Sequence, residues 1–196
     1  MLPAEEAHQL MMPPERADIM KSLDLKTVNP RKAAVMMLFY PRNGKTNLIL
    51  ILRNSYNGVH SSQIAFPGGK VELSDESLMH TALRETEEEI GIPENKINVI
   101  RPFSSVYIPP SNFMVFPFLG YSVEELIFKP DPNEVAGIIE FPLEQFLDER
   151  TMVTQKMATS YSLSIDVPSF KIFDHYVWGA TAMMLSELKE TLKKVL

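Results

Sequence analysis

The sequence contains no cysteine among its 196 residues, and this absence excludes several kinds of protein. Without thiols the chain forms neither disulfide bonds nor thiolate zinc sites. A chain without disulfides suits a reducing compartment, and we therefore expect a cytoplasmic protein.

Long apolar runs are also absent. No segment approaches the roughly 18 consecutive apolar residues that a membrane-spanning helix requires. The first 20 residues, MLPAEEAHQLMMPPERADIM, lack the basic stretch and the long apolar core of a signal peptide. The sequence therefore predicts no membrane partner.

Positive charge is in short supply. The chain has 19 Lys and Arg against 25 Asp and Glu, which gives a net charge of −6. Because proteins that bind nucleic acids carry a basic surface, this balance argues against a nucleic-acid partner. An acidic protein that handles an anionic ligand needs a metal ion or local basic side chains to offset the repulsion.

What the sequence does contain is typical of a globular domain, with 45% hydrophobic residues. Eight segments have the apolar and β-branched character of strands. They are AAVMMLFY (33–40), NLILILR (47–53), INVIRPF (97–103), MVFPFLGY (114–121), VAGIIEF (135–141), MVTQKM (152–157), YSLSIDV (161–167) and SFKIF (169–173). The Asn-Gly pair between the first two segments predicts a hairpin turn.

Helical patterns lie between and after these strands. A helix is predicted from about Asp75 to Ile90, with Ser74 or Asp75 as its N-cap and Gly91 as its stop. We expect one domain over residues 1–196, with an irregular N-terminal arm over about 1–30 and a helix over about 180–195. Within the arm, a short helix is predicted around 15–23. This order predicts an α/β (α+β) fold with a mixed β-sheet between helices.

The stretch RETEEEIGI places four glutamates within five residues: Glu85, Glu87, Glu88 and Glu89. At about 100° per residue, Glu85, Glu88 and Glu89 share an arc of roughly 100°, whereas Glu87 points away. Like charges one turn apart destabilise a helix by about 0.2–0.5 kcal/mol per pair. Arg84 lies four residues before Glu88 and is predicted to brace it, which leaves Glu85 and Glu89 in need of a cation.

This spacing leaves two interpretations open. Acidic pairs are common on solvated helix surfaces, whereas converging carboxylates form an all-oxygen site that suits Mg²⁺ or Mn²⁺. Met79, Leu83, Thr86 and Ile90 lie on a separate, largely apolar arc and are predicted to dock on the sheet.

The preceding segment FPGGK favours the metal site. Gly68 and Gly69 would let the backbone approach a ligand closely, and a glycine-rich loop that leads into an acidic helix suits a pyrophosphate bridged by divalent cations. Lys70 or Arg53 would then be available for the phosphate charge.

The segment GGKVELSDESLMHTALRETEEEIGI resembles the signature sequence of Nudix hydrolases, known as the Nudix box. The resemblance implies a Nudix fold, a Mg²⁺ or Mn²⁺ cofactor, and hydrolysis of nucleoside diphosphates linked to another group. By this resemblance Glu85 and Glu89 are metal ligands together with the backbone of Gly69. Glu88 is then either a further or water-bridged ligand or is held by Arg84.

A one-residue extension of the box resembles the coenzyme A pyrophosphatase branch of the family. Eight residues separate Asp75 from Arg84, one more than in the general pattern. Four further segments resemble the same branch: 29–40, 108–121, 131–143 and 175–185. The branch motif before Phe66 is incomplete, since Gly58 and Ser62 stand where Arg and Gly are expected. Arg53 and His60 are nearby cations that could substitute.

The resemblance also implies site residues outside the acidic run. Glu134 is the candidate for a catalytic base in a later loop. Phe66, Gly68, Gly69 and Lys70, with Arg53, are the candidate substrate contacts.

The substrate is predicted to be coenzyme A or an acyl derivative, which would give 3′,5′-ADP and 4′-phosphopantetheine. The alternatives are the same chemistry on ADP-ribose, NADH or another nucleoside diphosphate, and a non-catalytic module that senses a nucleotide. The oligomeric state, monomer or homodimer, stays open.

Overall fold

The structure is a computed structural model that describes residues 2–13, 17, 28–54, 63–159 and 162–196. The chain divides into two compact units. Pro30–Leu143 forms the sheet unit, and Met1–Asn29 with Glu144–Leu196 forms the terminal unit. The single domain expected from the sequence stays a prediction. The predicted helix over 15–23 lies almost wholly outside the described residues.

The sheet unit contains one eight-stranded mixed sheet. Its strands are β1 (Arg31–Arg42), β2 (Lys45–Arg53), β3 (Ile64–Ala65), β4 (Gly68–Lys70), β5 (Asn98–Pro102), β6 (Val106–Ile108), β7 (Phe113–Tyr121) and β8 (Val135–Pro142). The longest path runs β3-β2-β1-β7-β5, while β4 pairs with β1, β6 with β7 and β8 with β2. Strand β1 is parallel to β7 and antiparallel to β2, which confirms the mixed sheet and the α+β class.

The predicted hairpin turn is confirmed between β1 and β2. Asn43 and Gly44 both have positive φ, 52° and 72°, as a turn of this kind requires. The turn fixes the register so that Phe39 lies opposite Leu48. Alternate residues of β1 then face one side of the sheet, where Ala34, Met36 and Leu38 join the buried core.

Helix α2 (Leu78–Ile90) covers this core and packs against β1 and β4. It ends where the sequence predicts, at Gly91, whose φ of 71° suits a glycine C-cap. The predicted start is wrong, because the N-cap is Ser77 rather than Ser74 or Asp75. The carboxylate of Asp75 is occupied by Arg84 and Thr81 and does not cap the helix.

The predicted docking face of α2 is confirmed for Leu83, Thr86 and Ile90, which are buried. It is wrong for Met79, which is 42% exposed. Met79 lies in the first helical turn, before the buried residues begin at Thr81.

The terminal unit contains α1 (Ala4–Gln9), β9 (Met152–Thr159), β10 (Ser162–Ile172), β11 (His175–Val177) and α4 (Gly179–Leu192), preceded at the boundary by α3 (Leu143–Leu147). Helix α1 packs on α4. Helix α4 corresponds to the predicted C-terminal helix over about 180–195. The segments predicted as two strands, 161–167 and 169–173, form the single strand β10. Strand β11 reaches only as far as Phe170, so Pro168 has one paired neighbour, β9, and is tolerated there.

Among the described residues, no helix is both long enough and apolar enough to span a membrane.

Candidate active site

The most buried acid of the predicted cluster is Glu89, whose side chain is 0% exposed. Its Oε2 accepts the backbone N–H of Gly68 at 2.8 Å. Its Oε1 accepts a hydrogen bond from Nη1 of Arg53 at 3.1 Å. One carboxylate on helix α2 is therefore held by the ends of two strands, β4 and β2.

Glu85, one turn earlier, lies directly over strand β4. A Cβ added to Gly69 would come within 2.3 Å of Oε2 of Glu85, far closer than van der Waals contact allows. An alanine at this position would therefore force the Glu85 carboxylate to move. The same strand passes so close to β1 that a Cβ at Gly68 would come within 2.3 Å of the carbonyl oxygen of Ala34. Both glycines of FPGG are therefore explained by close approach.

Both carboxylates are shifted toward the protonated form. Burial raises the pKa of Glu85, although the neighbouring charge of Arg84 opposes the shift. Burial also raises the pKa of Glu89, to about 7, against the opposing effects of Arg53 and the Gly68 N–H. For both carboxylates, the cost of burying the charge exceeds the stabilisation by neighbouring hydrogen-bond donors and positive charges. Such an environment favours the binding of a cation.

Arg84 is the hub of the other acidic contacts. Its Nε donates to Oδ1 of Asp75 at 2.8 Å, and its Nη2 donates to the Lys70 carbonyl at 3.1 Å. Nη1 donates to Glu88 at 2.7 Å, which confirms the predicted brace, and Nη2 lies 3.1 Å from Glu85. Arg84 therefore ties the acidic helix to strand β4 and to the loop before the helix.

Asp75 is the site residue that sequence reasoning did not single out. Its carboxylate is fully buried and accepts hydrogen bonds from Thr81 and the Glu72 N–H as well as from Arg84. The Arg84 guanidinium holds the pKa of this carboxyl well below its usual range. The sequence feature that could have indicated this contact is an acid in the loop nine residues before an arginine on the helix.

The remaining two acids of the run are exposed. Glu88 is 55% exposed and turned toward Arg84. Glu87 is exposed on the outer face of the helix, as the helical wheel predicts.

Glu134 is brought to the cluster by a loop that closes on the end of helix α2. The N–H groups of Lys129 and Asp131 donate to the free carbonyls of Ile90 and Glu89, at 2.9 and 3.0 Å. The Glu134 N–H then donates to the Asp131 carbonyl at 3.1 Å. The negative charge of Glu134 is among the influences that raise the pKa of both Glu85 and Glu89, so the three acids share one region.

The other predicted substrate contacts occupy different positions. Phe66 is 1% exposed and belongs to the core. Lys70 is exposed, and because side chains alternate along a strand it leaves β4 on the face opposite to Gly69. Their roles in substrate binding stay predictions. Gly58, His60 and Ser62 lie outside the described residues.

The arrangement of Glu85 and Glu89 fits a divalent cation through its chemistry. The donors are carboxylate oxygens, which Mg²⁺ and Mn²⁺ prefer, and they face a glycine strand that leaves no side chain in the way. Among the residues that the structure describes, no three His, Asp or Glu side chains form a complete metal-binding group. Glu88, a third acid of the run, pairs with Arg84.

Comparison with known families places this geometry in context. The family model described as NUDIX domain matches residues 30–162. The uncharacterized Nudix hydrolase NudL of Salmonella dublin is 34% identical over 170 residues, which cover 83% of each chain. NudL of Yersinia enterocolitica is 31% identical over 171 residues, covering 84% of this chain and 83% of the relative.

Solved structures share the fold at lower identity. The Nudix hydrolase RenU of M. smegmatis superposes with a TM-score of 0.59 at 18% identity, covering 85% of this chain and 88% of that one. A binary complex of the C. elegans Ap4A hydrolase gives a TM-score of 0.55 at 17% identity, covering 84% and 98%. The NUDIX domain of Shewanella oneidensis NrtR, complexed with ADP ribose, gives 0.54 at 15% identity, covering 90% and 97%.

Proposed function

This chain belongs to the Nudix hydrolase family, and from that premise we propose that it hydrolyses the pyrophosphate bond of coenzyme A or of an acyl-coenzyme A. Water adds to one phosphorus atom and the P–O bond of the anhydride breaks. The products are 3′,5′-ADP and 4′-phosphopantetheine, or its acyl derivative.

The observation that carries the proposal is the pair of carboxylates, a partly buried Glu85 and a fully buried Glu89, against the glycine strand. Two carboxylates with raised pKa values lie beside this strand, where Gly69 places no side chain against Glu85. A buried acid without a full set of partners is costly, so such a pair persists where it binds a ligand. A pyrophosphate with its divalent cation matches that requirement in charge, because the cation pairs with the carboxylates and the phosphate pairs with the cation.

We assign the holding of the cation to the carboxylates of Glu85 and Glu89 and to the backbone of Gly69, with Mg²⁺ or Mn²⁺ as the ion. When bound, such an ion lowers the pKa of a coordinated water and neutralises charge on the phosphate oxygens. Arg84 fixes the orientation of the helix that carries both acids, and through Glu88 it holds a further carboxylate within reach.

Glu134 is assigned the role of general base. It lies close enough to Glu85 and Glu89 to raise their pKa values, and it is exposed, so a water molecule can reach its carboxylate. In this role it accepts the proton of the attacking water. Arg53 is assigned to the phosphate charge, and Phe66, Gly68 and Gly69 to shaping the strand that faces it.

The choice of coenzyme A is supported by the sequence. The one-residue extension of the box, the FPGG segment and four further segments resemble the coenzyme A pyrophosphatase branch. Gly58 and Ser62 depart from that branch, and the departure makes the substrate the first thing to test.

The experiment is a substrate panel with the purified protein and Mg²⁺ or Mn²⁺. Coenzyme A, acetyl-coenzyme A, ADP-ribose, NADH and Ap4A are incubated separately, and the products are separated by chromatography. We expect 3′,5′-ADP from coenzyme A. Glu89→Gln should abolish product formation, and Glu87→Gln, which changes the same kind of side chain on the outer face, should not.

The alternatives correspond to defined outcomes of the same panel. If coenzyme A survives while ADP-ribose or NADH is consumed, the substrate assignment is wrong and the family chemistry stands. If no pyrophosphate is consumed but calorimetry detects nucleotide binding, the chain is a nucleotide sensor.

A further inference from the structure

Arg53 carries a contact that its predicted role toward phosphate does not require. It is the last residue of strand β2, and its side chain is 23% exposed. Its Nη1 donates to Oε1 of Glu89 at 3.1 Å, from the side opposite to the Gly68 N–H on Oε2. The two donors together fix the plane of a carboxylate that is 0% exposed.

The backbone that carries Arg53 is itself fixed. Its N–H donates to the Gln63 carbonyl at 3.0 Å, and Arg53 lies opposite Val135 on strand β8. The guanidinium therefore reaches Glu89 from a strand paired on both sides, and not from a free loop end. Because its backbone is fixed in the sheet, the Arg53 side chain restrains the position of Glu89 on the helix.

The contact with Arg53 leaves lone pairs of the Glu89 carboxylate unused. An ionised carboxylate has about four lone-pair sites, and the Gly68 N–H and Arg53 each use one. One lone pair on each oxygen is still available to a cation, so the two donors can orient Glu89 without displacing a metal ion.

We propose that Arg53 is a positioning residue: it acts through Glu89, holding that carboxylate in the orientation in which it binds the divalent cation. This inference rests on the proposed function, since it takes Glu89 as a metal ligand. The competing arrangement has Arg53 occupying the cation position itself, in which case metal binding must first remove it. The two arrangements predict opposite signs for the effect of removing Arg53.

The test is binding of Mn²⁺ alone, without substrate, measured from the electron paramagnetic resonance signal of free Mn²⁺. Removing a group that holds a metal ligand typically weakens metal affinity about 10–100-fold, and we expect Arg53→Gln to weaken Mn²⁺ binding by that amount. Arg53→Lys should recover part of the affinity, because lysine keeps the charge but not the planar fork. Unchanged or tighter binding in Arg53→Gln would overturn the proposal.

The matched control is Arg42→Gln. Arg42 forms an ion pair with Glu140 at 2.9 Å on the same sheet, so the substitution removes an equivalent pair away from the site. Its Mn²⁺ affinity should equal that of the wild type. A thermal melt of each variant shows that it is folded, and if Arg53→Gln does not fold, Arg53→Lys decides the question by the sign of its change.

A double-variant cycle separates an effect through Glu89 from a general loosening of the structure. In a Glu89→Gln background, Arg53→Gln should cause no further loss of Mn²⁺ affinity. A further tenfold loss there would contradict the proposal.

Failure of this inference and failure of the proposed function give different results. If Arg53→Gln weakens Mn²⁺ binding but no pyrophosphate is hydrolysed, the positioning role stands and the function fails. If coenzyme A is hydrolysed but Mn²⁺ affinity does not depend on Arg53, the reverse holds. A wild-type protein that binds no Mn²⁺ rejects both.

Discussion

Helix α2 has acids just before its start and in its last two turns, and the two regions differ in how fully the carboxylates are paired. At its start, Asp75 has three donors, and the Arg84 guanidinium lowers its pKa. In its last two turns, Glu89 is fully buried and Glu85 is largely shielded from solvent, and burial raises the pKa of both carboxylates against the opposing effect of their donors. A buried carboxylate with a full set of partners supports the fold, whereas we propose that the less fully paired acids Glu85 and Glu89 bind a cation.

The largest effect is expected where the unsatisfied pair is neutralised. Glu89→Gln or Glu85→Gln should lower turnover of the substrate by more than about 100-fold, because even groups that only hold a metal ligand cost about 10–100-fold when removed. Steady-state rates measured with saturating Mg²⁺ check this. Full turnover in Glu89→Gln would show that the pair is not the metal site.

Displacing the Glu85 carboxylate without changing its charge tests whether activity depends on the position of this side chain. In Gly69→Ala the new Cβ would lie 2.3 Å from the carboxylate, so Glu85 must move. A misplacement of about 1 Å can cost roughly 100-fold in rate, and we expect a loss of that order. Gly137→Ala is the control, since the nearest atom to its added Cβ is 4.0 Å away. Equal activity of the two variants would contradict the close packing described here.

A substitution of the fully paired Asp75 should lower the stability of the fold. Asp75→Asn removes the charge that Arg84 pairs with, and we expect the free energy of unfolding to fall by about 2 kcal/mol, the scale of a hydrogen bond to a charged group. Urea unfolding followed by circular dichroism measures the change. A stability equal to that of the wild type would show that the pair between Asp75 and Arg84 does not support the fold.

The pH dependence of that difference carries a defined sign. Because Arg84 lowers the pKa of Asp75 in the folded state, the stabilisation is complete above the unfolded value of about 3.9 and is lost as the pH falls below it. The gap in unfolding free energy between wild type and Asp75→Asn should therefore be constant from pH 5 to 7, and should shrink below about pH 4. A gap that widened on acidification would reverse the assignment.

The smallest effect is expected at the solvated acid of the run. Glu87→Gln should change the free energy of unfolding by less than about 0.5 kcal/mol and should leave turnover unchanged, because Glu87 is exposed on the outer face of the helix. A loss of activity there would mean that the four glutamates are not divided as the structure indicates.

The sequence predicted those features of the site that depend on local spacing. The wheel separated Glu87 from the other three acids, and the distance of four residues predicted the contact between Arg84 and Glu88. The glycine stop and the hairpin turn followed from backbone conformations that few residues adopt.

Contacts between distant parts of the chain could not be predicted in this way. The pair between Arg53 and Glu89 spans 36 residues and exists only because the folded sheet brings the end of β2 to helix α2. The cap at Ser77 was missed because its competitor, Asp75, is committed to Arg84 on the next turns of the helix. In each case the partner residue is brought into contact by the tertiary structure, and the spacing of residues in the sequence does not reveal it.

The most direct test of the central claim is an anomalous-difference map from crystals soaked in Mn²⁺. We predict a peak within coordination distance of carboxylate oxygens of both Glu85 and Glu89. A map with no peak there, or with a peak only at the exposed Glu88, would contradict the account.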